Sequence, residues 1–427
     1  MPHSAASPSS RSALLPIFLI VLVDILGLTL ILPLLPFYAQ TFQASPIQVG
    51  LLATSYAACQ LISGPILGSL SDRFGRKPLL IVSQLGTLAG FILMAMANSL
   101  PLLFLSRVID GATAGNLSLA QAYISDVTTE KNRTQSFALI GIAFGLGFLF
   151  GPAISGYLSQ YGIRTPIFAA AGLSATSILA TFLLLPGDQR LHQKKETPEA
   201  APAPGTSNPG LGKRLGLLSW GRYFEFFRRP ELSRPLQEFF LFTFGFSLFT
   251  TGFALFAERR LKFEGQPFGP REVGYVFAFS GLLGIILQGG LIGRLSKVFG
   301  DEKLARAGFI ACMIAYAGLA TVESIPFLLM LSAIASFGSG SLRPTLTSIV
   351  SRKAARHEQG VVLGLLQSLN SVSQITAPLV AGALIGKNWL AAWALTASFA
   401  SGLGFFLSKL APLSVHDSGA FPRKVET

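Results

Sequence analysis

The sequence has little charge. Only 12% of its 427 residues are Asp, Glu, Lys or Arg, about half the roughly 25% of an ordinary soluble domain. With 51% hydrophobic residues, 35 of them Phe, a water-soluble chain of this size would leave more apolar surface than one core can hide. Cysteine is nearly absent. Cys59 and Cys312 both lie in apolar runs, so neither a disulfide framework nor a thiolate metal site is expected. The four histidines (His3, His192, His357, His416) sit in polar segments without ligand spacing, which excludes a zinc site. No Gly-x-x-x-x-Gly-Lys-Ser/Thr stretch occurs, so no nucleotide and no other cofactor is expected. No Ser/His/Asp, His-rich or paired-carboxylate arrangement lies within an apolar run, which argues against an enzyme. Acids are the scarcer charge, 20 against 33 Lys and Arg. The resulting +13 would suggest nucleic acid in a soluble protein, and has to be weighed against membrane topology first.

What the chain has in quantity is long apolar runs. Runs of about 20 residues, enough to cross about 30 Å of hydrocarbon, fall at 13–38, 48–69, 78–97, 101–124, 135–159 and 165–186. After a polar stretch they resume at 235–257, 272–293, 304–322, 325–349, 360–384 and 388–410. The expected protein is all-α and integral to a membrane, with twelve spans, numbered here 1 to 12. Span 1 runs on past signal-peptide length with no small-residue cleavage site, so it stays as a helix. With the N-terminus cytoplasmic, the basic residues of the outer loops are Arg164, Arg259, Arg260, Lys262, Arg271 and Lys387. Arg107 and Arg343 fall inside spans, and every other Lys and Arg lies inside the cell. Both termini are therefore expected in the cytoplasm, and topology accounts for the net charge without nucleic acid.

The chain divides into a six-span bundle (1–186), a linker (187–234), a second six-span bundle (235–411) and a cytoplasmic tail (412–427). The linker is low in complexity around Ala200–Gly205 and cannot bury enough to fold. From 215 to 229 it turns aromatic and basic, with Trp220, Tyr223, Phe224, Phe226 and Phe227 beside Arg222, Arg228 and Arg229. That pattern predicts an amphipathic helix on the inner leaflet. The two bundles repeat at an offset of 225: Gly68-Ser-Leu-Ser-Asp-Arg-Phe-Gly75 meets Gly293-Arg-Leu-Ser-Lys-Val-Phe-Gly300 with five of eight positions identical. Gly115 meets Gly340 at that offset, and Pro152 and Pro378 fall one residue from it. Two parallel six-helix repeats point to a transporter whose ligand binds between the halves.

The segment Gly68, Asp72, Arg73, Gly75 and Arg76 between spans 2 and 3 closely resembles the cytoplasmic signature of the major facilitator superfamily. In span 5, Gly147, Gly151, Pro152 and Gly156 resemble the helix 5 motif of that superfamily's drug/proton antiporters, with Ser155 where the pattern has a glycine. Arg107-Val-Ile-Asp110-Gly111 in span 4 and Asp24-Ile-Leu-Gly27 with Pro33-Leu-Leu-Pro36 in span 1 are similar to the tetracycline-efflux-like branch. The resemblance implies the major facilitator fold and proton-coupled export. It also implies that Asp126 pairs with Arg76 and latches the cytoplasmic side in the outward-open state. The repeat places Lys297 opposite Asp72, so the latch chemistry is expected in the first half alone. Where tetracycline exporters carry acids in helices 3 and 9 and a histidine in helix 8, this chain has the Gly90-Phe91 region, Cys312 and Gly284, though Gln288 is kept. A metal–tetracycline chelate is thus not the expected substrate.

A charge at mid-membrane costs about 2.5–3.5 kcal/mol on insertion scales, so each one is a candidate for function. At about 1.5 Å per residue, Asp24 lies about 2 Å to the inner side of the centre, Arg107 about 8 Å and Asp110 about 4 Å to the outer side. An axial gap of about 10 Å leaves Arg107 to pair with Asp110, three residues on, and Asp24 without a fixed partner. These three are the expected proton-coupling residues, Asp24 being the carboxyl that takes up and releases the proton. Asn116, Gln121, Phe246, Gln288, Arg343 and Asn370 are candidates for the substrate cavity. The face Phe242, Phe246, Phe249, Phe253 and Phe256 of span 7 serves either the cavity or helix packing, with packing expected.

The expected protein is thus a multi-pass carrier of the cell's inner membrane, acting as a single chain on a small amphipathic molecule and protons. Uptake by proton symport of a sugar or organic anion is the alternative. A non-transporting receptor or scaffold on the same fold would show no flux and no effect of Asp24 substitution.

Overall fold

The computed structural model describes residues 10–127, 130–185, 226–354 and 358–410. Helices dominate the described residues. In the first half they are α1 (Ser10–Ile31), α2 (Leu35–Gln40), α3 (Pro46–Phe74), α4 (Arg76–Ala95), α5 (Leu100–Ala112), α6 (Asn116–Val127), α7 (Glu130–Leu158) and α8 (Thr165–Leu184). The second half holds α9 (Pro230–Arg260), α10 (Pro270–Ile286), α11 (Ile292–Phe299), α12 (Asp301–Leu319), α13 (Ile325–Lys353), α14 (Gln359–Gly386) and α15 (Leu390–Lys409). A two-residue hairpin, Lys262–Phe263 with Gln266–Pro267, is the strand structure present among the described residues.

Each of the twelve expected spans coincides with one helix or an interrupted pair. Nine helices among the described residues are long and apolar enough to cross a membrane, and Pro16–Ile31 is a shorter apolar helix. Span 4 is broken into α5 and α6, and span 9 (α12) opens with the charged run Asp301, Glu302 and Lys303. These features, rather than an absence of helix, keep the remaining segments below that length and apolarity. The 187–234 linker lies almost wholly outside the described residues. Of its amphipathic stretch, Phe226 is buried in the second half's core, and the Arg229 guanidinium lies 4.8 Å from its ring.

Local chemistry sets the helix ends. Ser45 and Gln48 form a reciprocal capping box ahead of α3, with Pro46 in the first turn, so two amides that the helix leaves unpaired are satisfied. The repeated octets end the same way: Gly75 (φ 96°) separates α3 from α4, and Gly300 (φ 80°) separates α11 from α12. A side chain at either turn would be strained.

Each half packs around its own helices. In the first, α1 packs on α7 and α8, and α4 on α5 and α8. In the second, α9 packs on α14 and α15, and α12 on α13 and α15. The most extensive contacts between the halves are α7 against α10 and α3 against α14. The span 7 phenylalanines fill the second half's interior. Phe249 stacks on Tyr316 (5.4 Å between centroids) and Phe256 on Trp393 (4.8 Å), and the Trp393 indole donates to Leu248 O at 3.1 Å. Phe246 is half-buried, 6.0 Å from Phe242.

Candidate functional site

The intramembrane charges of the first half converge. Arg107 and Asp110 on α5 pair at 3.2 Å, with side chains 4% and 5% exposed. Arg107 also lies over the Tyr56 ring of α3 at 5.7 Å, and Thr87 of α4 faces Asp110. Asp24 of α1 belongs to the same group: Gln84 of α4 and Ser177 of α8 face its carboxyl, and Asp110 lies within electrostatic reach. Gln84 Nε2 donates to Ser177 Oγ at 2.8 Å. Asp24 is half-buried, and its Oδ1 is shielded from solvent with no hydrogen-bond partner; the same holds for Gln84 Oε1. Five spans therefore meet at one polar cluster holding one paired carboxylate and one without an ion pair.

Small residues let these groups approach. A Cβ on Gly90 would stand 2.8 Å from the Asp110 Cβ, and one on Gly111 would stand 2.5 Å from Tyr56 O. Just beyond Asp110 the span breaks, and Ser83 of α4 bridges the break: its hydroxyl donates to Thr113 O and accepts from Gly115 N. An interrupted helix at a polar site is tolerated where neighbours satisfy the freed backbone groups. Asn116, the first residue after the break, has a buried Oδ1 without a partner. Removing one member of a buried pair strands the other charge, at a cost of about 3–5 kcal/mol. Arg107→Gln is expected to destabilise the protein by that amount and Asp110→Asn to restore most of it. Thermal unfolding of the two single variants and the double variant measures the coupling.

The second half has no copy of this cluster. The 225-residue offset carries Asp24, Arg107 and Asp110 onto Phe249, Ser332 and Ala335, all buried.

The span 5 motif has a definite place. Gly147 and Gly151 face α1, where Thr29 Oγ1 donates to Gly147 O at 2.8 Å. Pro152 and Gly156 face α10, so that a Cβ on Gly274 would stand 2.5 Å from Pro152 O. Ser155 is fully buried, small enough to keep the packing. The other contact between halves repeats this geometry, since a Cβ on Gly50 would stand 2.3 Å from Pro378 O. In each case a proline carbonyl is pressed against a glycine of the opposite half. Thr54 Oγ1 donates to Ile375 O and Gln40 Nε2 to Glu258 Oε2, both at 2.8 Å across the same end.

The opposite end, which carries the Gly75 and Gly300 turns and is called here the basic end, is open. Added Cβ atoms at Gly64 and Gly68 on α3, Gly141 on α7, Gly293 on α11 and Gly364 on α14 would meet nothing within 4 Å. At this end Arg76 binds Asp126 at 2.9 Å, Asp72 at 2.6 Å and the Ser71 hydroxyl at 2.5 Å. Arg73 and Asp72 are exposed. The Arg76–Asp126 pair joins α4 and α6 of the first half. The second half holds a related arrangement. Asp301, at the position equivalent to Arg76, binds Ser296 and Arg352, and accepts from Ser348 at 3.1 Å. It has the same architecture with the charges exchanged. No identity within the octets marks this pair, because Arg352 lies outside them and identity does not register a sign reversal. Asp301→Arg and Arg352→Asp are each expected to lower stability by about 1 kcal/mol, given the exposure of Arg352. Their combination is expected to recover it, as read by a double-mutant cycle.

The cavity candidates are dispersed. Arg343 on α13 is exposed, and its guanidinium forms no hydrogen bond or ion pair among the described residues. Gln288 is exposed on a π-helical turn, Leu287–Leu291, that interrupts span 8. The two are neighbours in level, because a Cβ on Gly340, one turn from Arg343, would stand 2.8 Å from a Leu287 methyl. Gln121 is exposed and Asn370 half-buried. Gln84, Ser177 and Tyr56 escaped the sequence reading. An in-span amide was a signal available for Gln84, and none distinguished the other two.

The sequence profile of the Major Facilitator Superfamily matches residues 17–378 and 268–426. The chain belongs to the Major Facilitator Superfamily. Its relatives include the class B tetracycline resistance protein of Escherichia coli, 29% identical over 84% of this chain and 85% of that protein. Multidrug resistance protein 2 of Bacillus subtilis is 26% identical over 87% of this chain and 89% of its own length. Among solved structures, the human organic anion transporter MFSD10 superposes with a TM-score of 0.69 at 25% identity, over 94% of this chain and all of that one. This facilitator is a multi-pass membrane transporter, not an enzyme, and its fold and its tetracycline-efflux-like branch are those the motifs implied.

Proposed function

We propose that this facilitator is a proton-coupled exporter of amphipathic small molecules working by alternating access. The observation that carries the reading is Asp24, a carboxyl within a span whose Oδ1 is buried without a hydrogen-bond partner beside a separately neutralised Arg107–Asp110 pair. A carboxyl without a fixed ion pair can exist charged or neutral at modest cost, whereas Asp110 is tied to its arginine. With the basic end cytoplasmic, the conformation is inward-open, ready to receive substrate from the cell, and the contacts Gly50–Pro378 and Gly274–Pro152 form the outer closure. Kinship with tetracycline and multidrug resistance proteins supports export. The test is expression in an efflux-deficient host challenged with a chemically diverse panel. Raised tolerance to several amphipathic compounds is the expected result, and unchanged susceptibility across the panel refutes export.

Arg343 favours a second reading, in which the substrate bears an anionic group. An unpaired guanidinium at the level of Gln288 would bind a carboxylate or sulfonate with two parallel hydrogen bonds, and a related human protein is an organic anion transporter. Arg343→Gln is expected to raise KM for anionic compounds about tenfold, one charge-assisted contact's worth, and to leave cationic ones unchanged. Equal effects on both classes refute it.

A further inference from the structure

Two cavities of the second half lie away from the contact between the halves, and they share a wall. One, of about 430 Å³, opens among the basic-end termini of α9, α12, α13 and α15. Its lining carries three acids (Glu231, Glu238, Glu302) and three bases (Arg234, Arg306, Lys353). The other, of about 390 Å³, is apolar, between α9, α14 and α15, with Phe240, Leu241 and Leu369 on its walls. Leu407 lines both. The polar cavity sits at the helix ends, where a bilayer's headgroups lie. The apolar one reaches Leu241, three residues beyond Glu238 and about three turns into α9, at the level of hydrocarbon.

The charges in the polar cavity are incompletely matched. Arg234 and Arg306 donate to Leu410 O and Ser408 O at the end of α15, and Arg306 also pairs with Glu302 at 4.0 Å. Glu238 is more than nine-tenths buried and makes no hydrogen bond or ion pair among the described residues, although it lines the cavity. Lys353 faces it across the space, likewise without hydrogen bond or ion pair. A buried carboxylate and an ammonium that do not touch leave room for a molecule that bridges them. Such a molecule carries an anion for Lys353 and an N–H cation for Glu238, on a body that continues into an apolar groove.

We infer that this paired cavity is a binding site for an amine-headed zwitterionic phospholipid of the inner leaflet, with the phosphate on Lys353, the ammonium on Glu238 and an acyl chain passing Leu407 into the apolar cavity. The ammonium's hydrogen-bond donors are what select it. A choline head has the same net charge but no N–H, and a glycerol head offers no cation while its phosphate meets three acids.

The test uses the full-length protein in detergent, exposed to equimolar phosphatidylethanolamine, phosphatidylcholine and phosphatidylglycerol of identical acyl chains, with bound lipid counted by native mass spectrometry. The wild type is expected to retain phosphatidylethanolamine about tenfold over either competitor, the selectivity of one charge-assisted hydrogen-bonded contact. Glu238→Gln is expected to bring phosphatidylethanolamine down to the phosphatidylcholine level, and Leu407→Trp, which fills the junction, to lower retention of all three. Equal retention of the ethanolamine and choline lipids by the wild type overturns the inference without recourse to any variant. Preference for phosphatidylglycerol, or an ethanolamine preference that survives Glu238→Gln, also overturns it.

Discussion

Substituting Asp24 by asparagine is expected to abolish accumulation driven by a pH gradient while leaving the fold intact. The amide matches the carboxyl in shape and still offers an oxygen to Gln84 and Ser177, which face it, but it neither binds nor releases a proton. Nothing else in the cluster takes its place. Asp110 is committed to Arg107 at 3.2 Å, and the second half carries Phe249 at the matching position. The expected loss in gradient-driven transport is about 100-fold or more, the lower range for a positioned proton-transferring group. Substrate exchange without a gradient should persist, because the contacts that open and close the two ends do not involve Asp24. Transport into vesicles with and without an imposed gradient separates the two quantities, and undiminished gradient-driven transport removes Asp24 from the mechanism.

The second large effect concerns the outer closure. Gly50→Ala places a methyl 2.3 Å from Pro378 O, and Gly274→Ala places one 2.5 Å from Pro152 O. Both obstacles are backbone, so neither can rotate away, and overpacking of this kind costs about 1–3 kcal/mol. That cost falls on the basic-end-open state alone if the outer contacts part in the other state. The population should then shift about 5- to 150-fold toward basic-end closure. Phe74 and Val298, exposed at the basic end of opposite halves, are suitable positions for spin labels once Cys59 and Cys312 are replaced. The label-to-label distance is expected to shorten in Gly50→Ala and to stay as in the wild type in Gly64→Ala, whose added methyl meets nothing within 4 Å. An unchanged distance in Gly50→Ala would mean that the outer contact does not set the conformational balance.

Much of this arrangement was legible in the sequence because membrane insertion enforces it. Spans, the repeat and the Gly75 and Gly300 turns follow from hydropathy and from identities at a fixed offset. The i, i+3 spacing brought Arg107 and Asp110 together. What escaped depended on contacts between distant segments. Gln84 and Ser177 join Asp24 from two other spans, and no local pattern marks the face they present. Asp301–Arg352 escaped for a different reason: an ion pair works with either polarity, so evolution can exchange the two signs while erasing the identity by which a repeat is recognised. The open state was invisible as well. It rests on which glycines touch a carbonyl and which touch nothing, and the sequence writes all of them alike.

In the proposed cycle, substrate and protons are obligately exchanged through one carboxyl in the first half. Purified wild-type protein, reconstituted in vesicles enclosing a pH-sensitive dye, tests it without any variant. On adding an exported compound to the face from which it is carried, protons should move the opposite way across the membrane, at a rate that saturates with the compound. Substrate transport accompanied by no proton flux, or by flux in the same direction, would contradict the account.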